Sequence, residues 1–268
     1  MKLNHFVVLG CVSLILAACG GSGGSSGSNQ TASATSDSAS GSVKVLKVGT
    51  DASFAPFESM NEKQEIYGFD IDLLNEMAKV GGFKLEFKHT PWDGIFASLN
   101  NRDVDIVASA VTITDERKNT MDFTDSYYKI TQVVMVSPNK DVKTVEDLTK
   151  LTRVGVVAGQ TGDFAAQKIF GATSNQIARF DSLPLLIKEV ENSGLDAAIS
   201  DSAVIAHHIK NNAGKGFTMV SIPDFEEENY GFAVRKGDTE TLNLLNQSLK
   251  TVRENGTYAE IEKKYFAQ

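Results

Sequence analysis

From residue 43 onward, short apolar β-branched runs alternate with segments of helical periodicity, and that alternation points to a layered α/β fold. Residues 43–49 (VKVLKVG) read as a first strand. Phe69, Leu73, Leu74, Met77 and Val80 then recur at helical spacing. Asp70 and Asp72 lie in that helix's first turn, where the dipole favours acids, and Gly81-Gly82 stops it. Residues 83–88 (FKLEFK) form the next strand, Pro91-Trp92-Asp93-Gly94 turns the chain, and Ile95, Phe96 and Leu99 define a short helix. The pattern repeats later. Residues 153–157 (RVGVV) read as a strand of parallel type, followed by a Gly-bearing turn and a helix over 164–170. Residues 197–200 form a strand with Asp201 at its end, before a helix over 202–210.

The chemistry concentrates in residues 105–128, DIVASAVTITDERKNTMDFTDSYY. A strand leads into Ser109, Thr112 and Thr114, and Thr114 is placed to cap a helical turn carrying Arg117. Backbone N–H groups at a helix start suit an anion, and a planar guanidinium suits a carboxylate better than an ammonium does. The alternative is an ordinary surface arginine paired with a neighbouring acid. Asp51 and Phe54 follow the first strand, where open α/β sheets meet their ligands; equally, Asp51 could cap a turn and Phe54 seal the core. Trp92, the single tryptophan, suits either a core or a pocket. The turn 158–163 is anion-ready, with an ordinary strand-to-helix connection as its alternative; nucleotide signatures are missing from it. Asp201 suits an ammonium and also suits an N-cap. His207 and His208 read as plain helical histidines.

Charge and cysteine content narrow the classes. Thirty-four acids against 26 bases give −8, which argues against a nucleic-acid partner. Both cysteines, Cys11 and Cys19, precede the folded part, so no disulfide staples it. Residues 6–16 are apolar but short for a membrane span. They run into Leu16-Ala17-Ala18-Cys19, which resembles the bacterial lipoprotein signal. Cleavage before Cys19 makes 1–18 a signal peptide. It leaves a lipidated Cys19 on a Gly/Ser-rich tether, 19–42, with membrane contact through the lipid only.

The stretch 105–128 is similar to the ligand-binding segment of periplasmic amino-acid-binding proteins serving ABC transporters, solute-binding protein family 3. GTDASFAPFES (49–59), GFDIDLLNEMA (68–78), VGVVAGQTGDF (154–164), LDAAISDSAVI (195–205) and RENGTYAEIEKKYF (253–266) carry the resemblance in order. It implies a two-lobed, type II periplasmic binding protein fold. Each lobe would be a mainly parallel sheet flanked by helices, with two crossings between lobes: residues 43–130 plus 231–268, and residues 131–230. It implies a receptor, not an enzyme, delivering a small L-amino acid to an ABC permease without cofactor or metal; a monomer is the default, because no surface stripe demands a partner. The implied ligand-binding residues are Asp51, Phe54, Trp92, Ser109, Thr112 and Arg117 from the first lobe, and Gln160, Thr161 and Asp201 from the second. Arg117 and backbone N–H groups would take the α-carboxylate, Asp201 the α-ammonium, and Phe54 with Trp92 the side chain. The glutamine receptors carry a lysine in the second-lobe turn and a histidine before the ammonium-binding aspartate. This chain has Ala158, Gln160 and Ser200 there. The expectation is a polar neutral amino acid, glutamine or cystine, with a basic amino acid as the alternative. A periplasmic dehydratase, with Glu58 as its acid, and a surface adhesion lipoprotein are the rivals.

Overall fold

The structure, a computed structural model, describes residues 43–138 and 140–267. The signal peptide, Cys19 and the tether lie outside the described residues. The chain opens with β1 (Val45–Thr50), β2 (Ser53–Phe54), β3 (Glu58–Met60), β4 (Ile66–Tyr67), α1 (Phe69–Gly81), β5 (Lys84–His89) and α2 (Trp92–Asn100). It continues with β6 (Ile106–Val107), α3 (Asp115–Lys118), β7 (Met121–Phe123), β8 (Tyr128–Val136), α4 (Val145–Thr149), β9 (Val154–Val157) and α5 (Thr161–Phe170). Then come β10 (Ile177–Phe180), α6 (Leu183–Glu191), β11 (Ala197–Asp201), α7 (Ser202–Asn211), β12 (Thr218–Ser221), β13 (Glu227–Tyr230), β14 (Ala233–Arg235), α8 (Thr239–Glu254) and α9 (Thr257–Phe266).

Two lobes result, each built on one sheet. The first sheet runs β5-β1-β6-β14-β7, with β5, β1 and β6 parallel and β14 antiparallel to both neighbours. The second runs β10-β9-β11-β8-β12, parallel across β10, β9 and β11 and antiparallel at β8. The antiparallel members are the strands that cross between lobes or return. β8 is the spine: its start pairs with β13 from Tyr128↔Tyr230 to Thr131↔Glu227, and its end pairs with β11 and β12. The two crossings therefore run side by side as a short ladder, a geometry that permits hinge motion.

An aromatic cluster packs under that ladder. Phe57 meets Tyr230 at 5.0 Å and Tyr128 at 5.1 Å, both edge-on, and Tyr127 stacks on Phe232 at 4.3 Å. α1 packs against α8 and α9, so the end of the chain rests on its first helix.

Two helices begin earlier than periodicity suggests. α2 starts at Trp92, because Pro91 is extended (φ −54°, ψ 147°) and sits at the N-cap, with its fixed φ presetting the entry. The expected turn 91–94 is the helix's first turn. α5 starts at Thr161 rather than 164. Gly162 allows this: a Cβ there would lie 2.7 Å from the Ile199 carbonyl oxygen, so only glycine lets this helix start seat against β11.

Gly68 stands before α1 at φ 144°, and a Cβ there would lie 2.1 Å from the Phe57 carbonyl oxygen. Gly82 ends α1 at φ 69° with open space around it. Gly68→Ala is expected to destabilise the protein by roughly 3 kcal/mol or more, and Gly82→Ala by only about 1–2 kcal/mol. Urea unfolding of the two variants checks the order; equal losses would contradict the steric account.

Candidate functional site

The strand-to-helix connections of both lobes face each other across a crevice. From the first lobe come Phe54 on β2, Trp92 at the start of α2, the loop Ala110–Thr112, and Arg117 on α3. From the second come Gln160 and Thr161 at the start of α5, and Asp201 at the end of β11. Thr114 caps α3, its Oγ1 accepting from the Arg117 amide at 3.1 Å, which anchors the backbone that carries the guanidinium.

Arg117 is buried against a pair of touching rings, its Cζ 5.3 Å from the Trp92 ring centroid and 5.3 Å from that of Phe96. Its Nη1 donates to the Thr112 carbonyl at 2.8 Å and its Nη2 to the Gly159 carbonyl at 3.2 Å. The second bond crosses the crevice. So does the bond from Trp92 Nε1 to the Ala158 carbonyl at 3.1 Å, and Thr112 Oγ1 meets Thr161 Oγ1 at 3.5 Å. In this arrangement the space enclosed by these residues is about 10 Å³, room for about one water. An amino acid enters only when the lobes part or these side chains turn. A larger opening of about 560 Å³, lined also by Gln132, adjoins the crevice beside the crossing strands and shares Thr112 and Thr161 with it. Its outer wall is the exposed acidic run from Asp224 to Glu227.

Both charges in the crevice are held away from water. Burial lowers the Arg117 pKa to about 10, with Asp201 and Glu228 opposing the shift. Burial raises Asp201 to about 6, while hydrogen bonds from Tyr230 and Gln132 and the Arg117 charge favour its ionised form. Asp201 Oδ1 accepts from Gln132 Nε2 at 2.6 Å and Oδ2 accepts from the Tyr230 hydroxyl. The carboxylate occupies the N-cap position of α7 without capping it; its side chain is turned to the crevice instead.

Asp51 and Ser109 stand behind the wall rather than on it. The Ser109 hydroxyl accepts from the Asp51 amide at 3.0 Å and donates to Glu58 at 2.9 Å. Asp51 Oδ1 accepts from Ser53, and burial is the main cause of its raised pKa. Sequence reasoning missed Gln132, Ala110, Tyr230 and Glu228. Gln132 donates to both Thr161 Oγ1 and Asp201, and the signal for it was one polar residue inside the apolar run TQVVMV. Glu228, half-buried on β13, accepts from Thr112 Oγ1 at 3.0 Å. Only the fold brings β13 to that loop.

A bilobed α/β protein with a charged crevice between its lobes defines a solute-binding class. The chain belongs to the bacterial extracellular solute-binding proteins, family 3, which it matches over residues 46–268. It is 52% identical to a probable histidine-binding protein of Neisseria gonorrhoeae, over 100% of this chain and 97% of that one. It is 30% identical to the histidine-binding periplasmic protein of Escherichia coli K12, over 82% of this chain and 87% of that one. The structure of the arginine-, lysine-, histidine-binding protein ArtJ of Geobacillus stearothermophilus superposes with a TM-score of 0.80 at 41% identity, covering 84% of this chain and 96% of that one.

Tyr230→Phe removes one donor that favours ionised Asp201. The Asp201 midpoint is expected to rise from about 6 by roughly one pH unit. Carboxyl NMR titration reads it; an unmoved midpoint would discount that hydrogen bond.

Proposed function

We propose that the protein is an extracytoplasmic receptor whose lobes, residues 43–130 with 231–268 and residues 131–230, close on a basic L-amino acid and present it to an ABC permease. The observation that carries this reading is the opposed pair of buried charges, Arg117 from one lobe and Asp201 from the other. A zwitterion is the small solute that pairs both, and burying either charge unpaired would be strongly unfavourable. Arg117 takes the α-carboxylate, assisted by backbone N–H groups near Thr112 and Thr161. Asp201 takes the α-ammonium. Phe54 and Trp92 flank the ligand side chain.

The surplus of acid argues for a cationic side chain. Once Arg117 and Asp201 are matched, Glu228 adds a carboxylate at Thr112, and Asp51 adds its charge from behind the wall, beside Ser109. A net positive ligand neutralises that surplus; glutamine and cystine do not. The names of the relatives, histidine-binding and arginine-, lysine-, histidine-binding, support the same choice over the neutral one favoured from sequence alone. Glu58, the acid nominated for dehydratase chemistry, is fully buried and bonded to Ser109, which supports binding over turnover. Lipidation of Cys19 would tether a monomeric receptor to a membrane surface through residues 19–42, with no contact to nucleic acid.

Calorimetric titration of protein unfolded and refolded to strip carried-over ligand tests the reading. Histidine, arginine or lysine should bind. Arg117→Ala should lose about 2–5 kcal/mol of binding. Asp51→Asn should weaken the basic ligands more than glutamine. Silence across the twenty amino acids and cystine, or equal binding by Arg117→Ala, would sink the proposed site.

A pH series gives a further check, because pairing the α-ammonium needs Asp201 ionised. Affinity should hold above about pH 6 and fall toward tenfold per pH unit well below it. The stability contribution of the ligand-free protein runs the other way. Since the folded pKa is raised, that contribution is complete below the ordinary carboxylate range and is lost as pH rises to about 6. Affinity that is flat from about pH 7 to about pH 4.5, roughly two and a half units across the transition, would exclude Asp201 as the ammonium partner.

A further inference from the structure

Beneath the crevice floor lie two carboxyl groups that the binding reading does not use. Glu58 on β3 and Asp70 in the first turn of α1 are both fully buried. They grip consecutive residues of the loop that faces the ligand. Glu58 Oε1 accepts from Ser109 Oγ at 2.9 Å, and Asp70 Oδ2 accepts from the Ala110 amide at 3.0 Å and from the Tyr127 hydroxyl at 2.7 Å. Ala110 is held at φ 46°, a left-handed conformation that a residue with a Cβ keeps only under constraint. Ser109 in turn accepts from the Asp51 amide. The two carboxyls thus set the backbone at residues 51, 109 and 110 together.

The other oxygen of each group, Glu58 Oε2 and Asp70 Oδ1, has no hydrogen-bond partner among the described residues although both are buried. The Asp70 amide donates to the Phe57 carbonyl at 3.0 Å, which sets Asp70 beside the backbone of Glu58; a buried acceptor without a donor is costly, and two ionised carboxyls buried together away from water more so. Among the described residues, the groups that bear on Glu58 offer no cation. They are the carboxylates of Asp70, Asp51 and Asp201, the hydroxyl of Ser109, and the phenols of Tyr127 and Tyr230. Asp70 is faced by the Tyr127 hydroxyl and the Ala110 amide.

We propose that Glu58 and Asp70 share one proton, carried by Glu58 and donated to Asp70, and that Glu58 is in this way a positioning residue for the ligand-facing loop 109–112. The assignment follows from the donors. Asp70 already accepts two hydrogen bonds and keeps the charge; Glu58 accepts one and keeps the proton. Glu58 Oε2–H toward Asp70 Oδ1 satisfies both orphan oxygens at once and leaves Oε1 free to accept from Ser109. Ser109 spends its only hydrogen on Glu58 and accepts from the Asp51 amide, so the loop and residue 51 are held together from behind the crevice wall. Burial and the Asp70 charge hold the Glu58 carboxyl well above the usual range, and burial raises Asp70 to about 7. Losing the proton at alkaline pH would set two anions against each other and release the loop.

The effect on ligand affinity rests on the receptor reading above; the shared proton does not. The experiment therefore has two arms. Carboxyl NMR of the ligand-free full-length protein should find one member of the pair protonated at pH 7, and Glu58→Gln should abolish that signal. The stability arm has a defined sign: a carboxyl with a raised folded pKa loses its stabilising contribution as pH climbs above the ordinary range, so Glu58→Gln should lose less stability toward alkaline pH than wild type. Amino-acid titrations from neutral to alkaline pH form the second arm. Wild-type affinity should fall toward tenfold per pH unit once the pair loses its proton. Glu58→Ala should already bind weakly at neutral pH. Glu58→Gln, whose amide N–H reproduces the donor to Asp70 and whose carbonyl still accepts from Ser109, should rescue binding and flatten the alkaline loss. Two carboxyls that both ionise in the usual range would overturn the proposal, as would an alkaline loss in Glu58→Gln equal to wild type. If no amino acid binds, the receptor reading fails, and the carboxyl titration and stability arm still decide the proton.

Discussion

The burial of Arg117 is the constraint on which the rest of the molecule turns. A guanidinium out of water needs ring faces and acceptors around it, and here Trp92 and Phe96 supply the faces while carbonyls from both lobes supply acceptors. One acceptor, the Gly159 carbonyl, belongs to the opposite lobe, so the same side chain that would hold a ligand carboxylate also latches the lobes. Asp201 is the counterpart on the other side, oriented by Gln132 and Tyr230 rather than by its own helix. In the proposed receptor, opening and closing would exchange internal partners for ligand partners at the same atoms.

That exchange depends on a firm base beneath a movable pair of lobes. The β8–β13 ladder joins the lobes side by side, and Phe57, Tyr127, Tyr128, Tyr230 and Phe232 pack beneath it. Tyr127 and Tyr230 serve both layers: their rings fill the cluster, while their hydroxyls donate to Asp70 and Asp201. The polar floor of Glu58, Ser109 and Asp70 thus connects the hydrophobic support to the crevice. A disturbance in either layer reaches the loop 109–112.

Much of the first lobe was legible because its signals are local. The spacing of Phe69, Leu73, Leu74 and Met77 marks α1, and all four are buried. Thr114 as cap of the turn carrying Arg117 was readable from side-chain chemistry, and its hydrogen bond is made. The starts of α2 and α5 were less legible. Pro91 read as a turn signal is also a helix entry, and the fit of Gly162 against the Ile199 carbonyl depends on a strand far along the chain. Gln132 and Glu228 escaped for the same reason, since their partners are separated from them by dozens of residues.

The sequence by itself determined the α/β class, the two-lobed family pattern and the residue types proposed to meet the ligand, because periodicity, caps and motif order are properties of neighbouring residues. It leaned to a neutral ligand because the strings TITDERK (112–118) and SYYK (126–129) resemble the glutamine receptors, while Asp51 alone suits an amide or a cation equally. Only the tertiary structure decided which acids stand together: Asp201 against Gln132 and Tyr230, Glu228 against Thr112, Glu58 and Asp70 under Ser109 and Ala110. Electrostatic character depends on distance and burial, and both are set by contacts between segments remote in the chain.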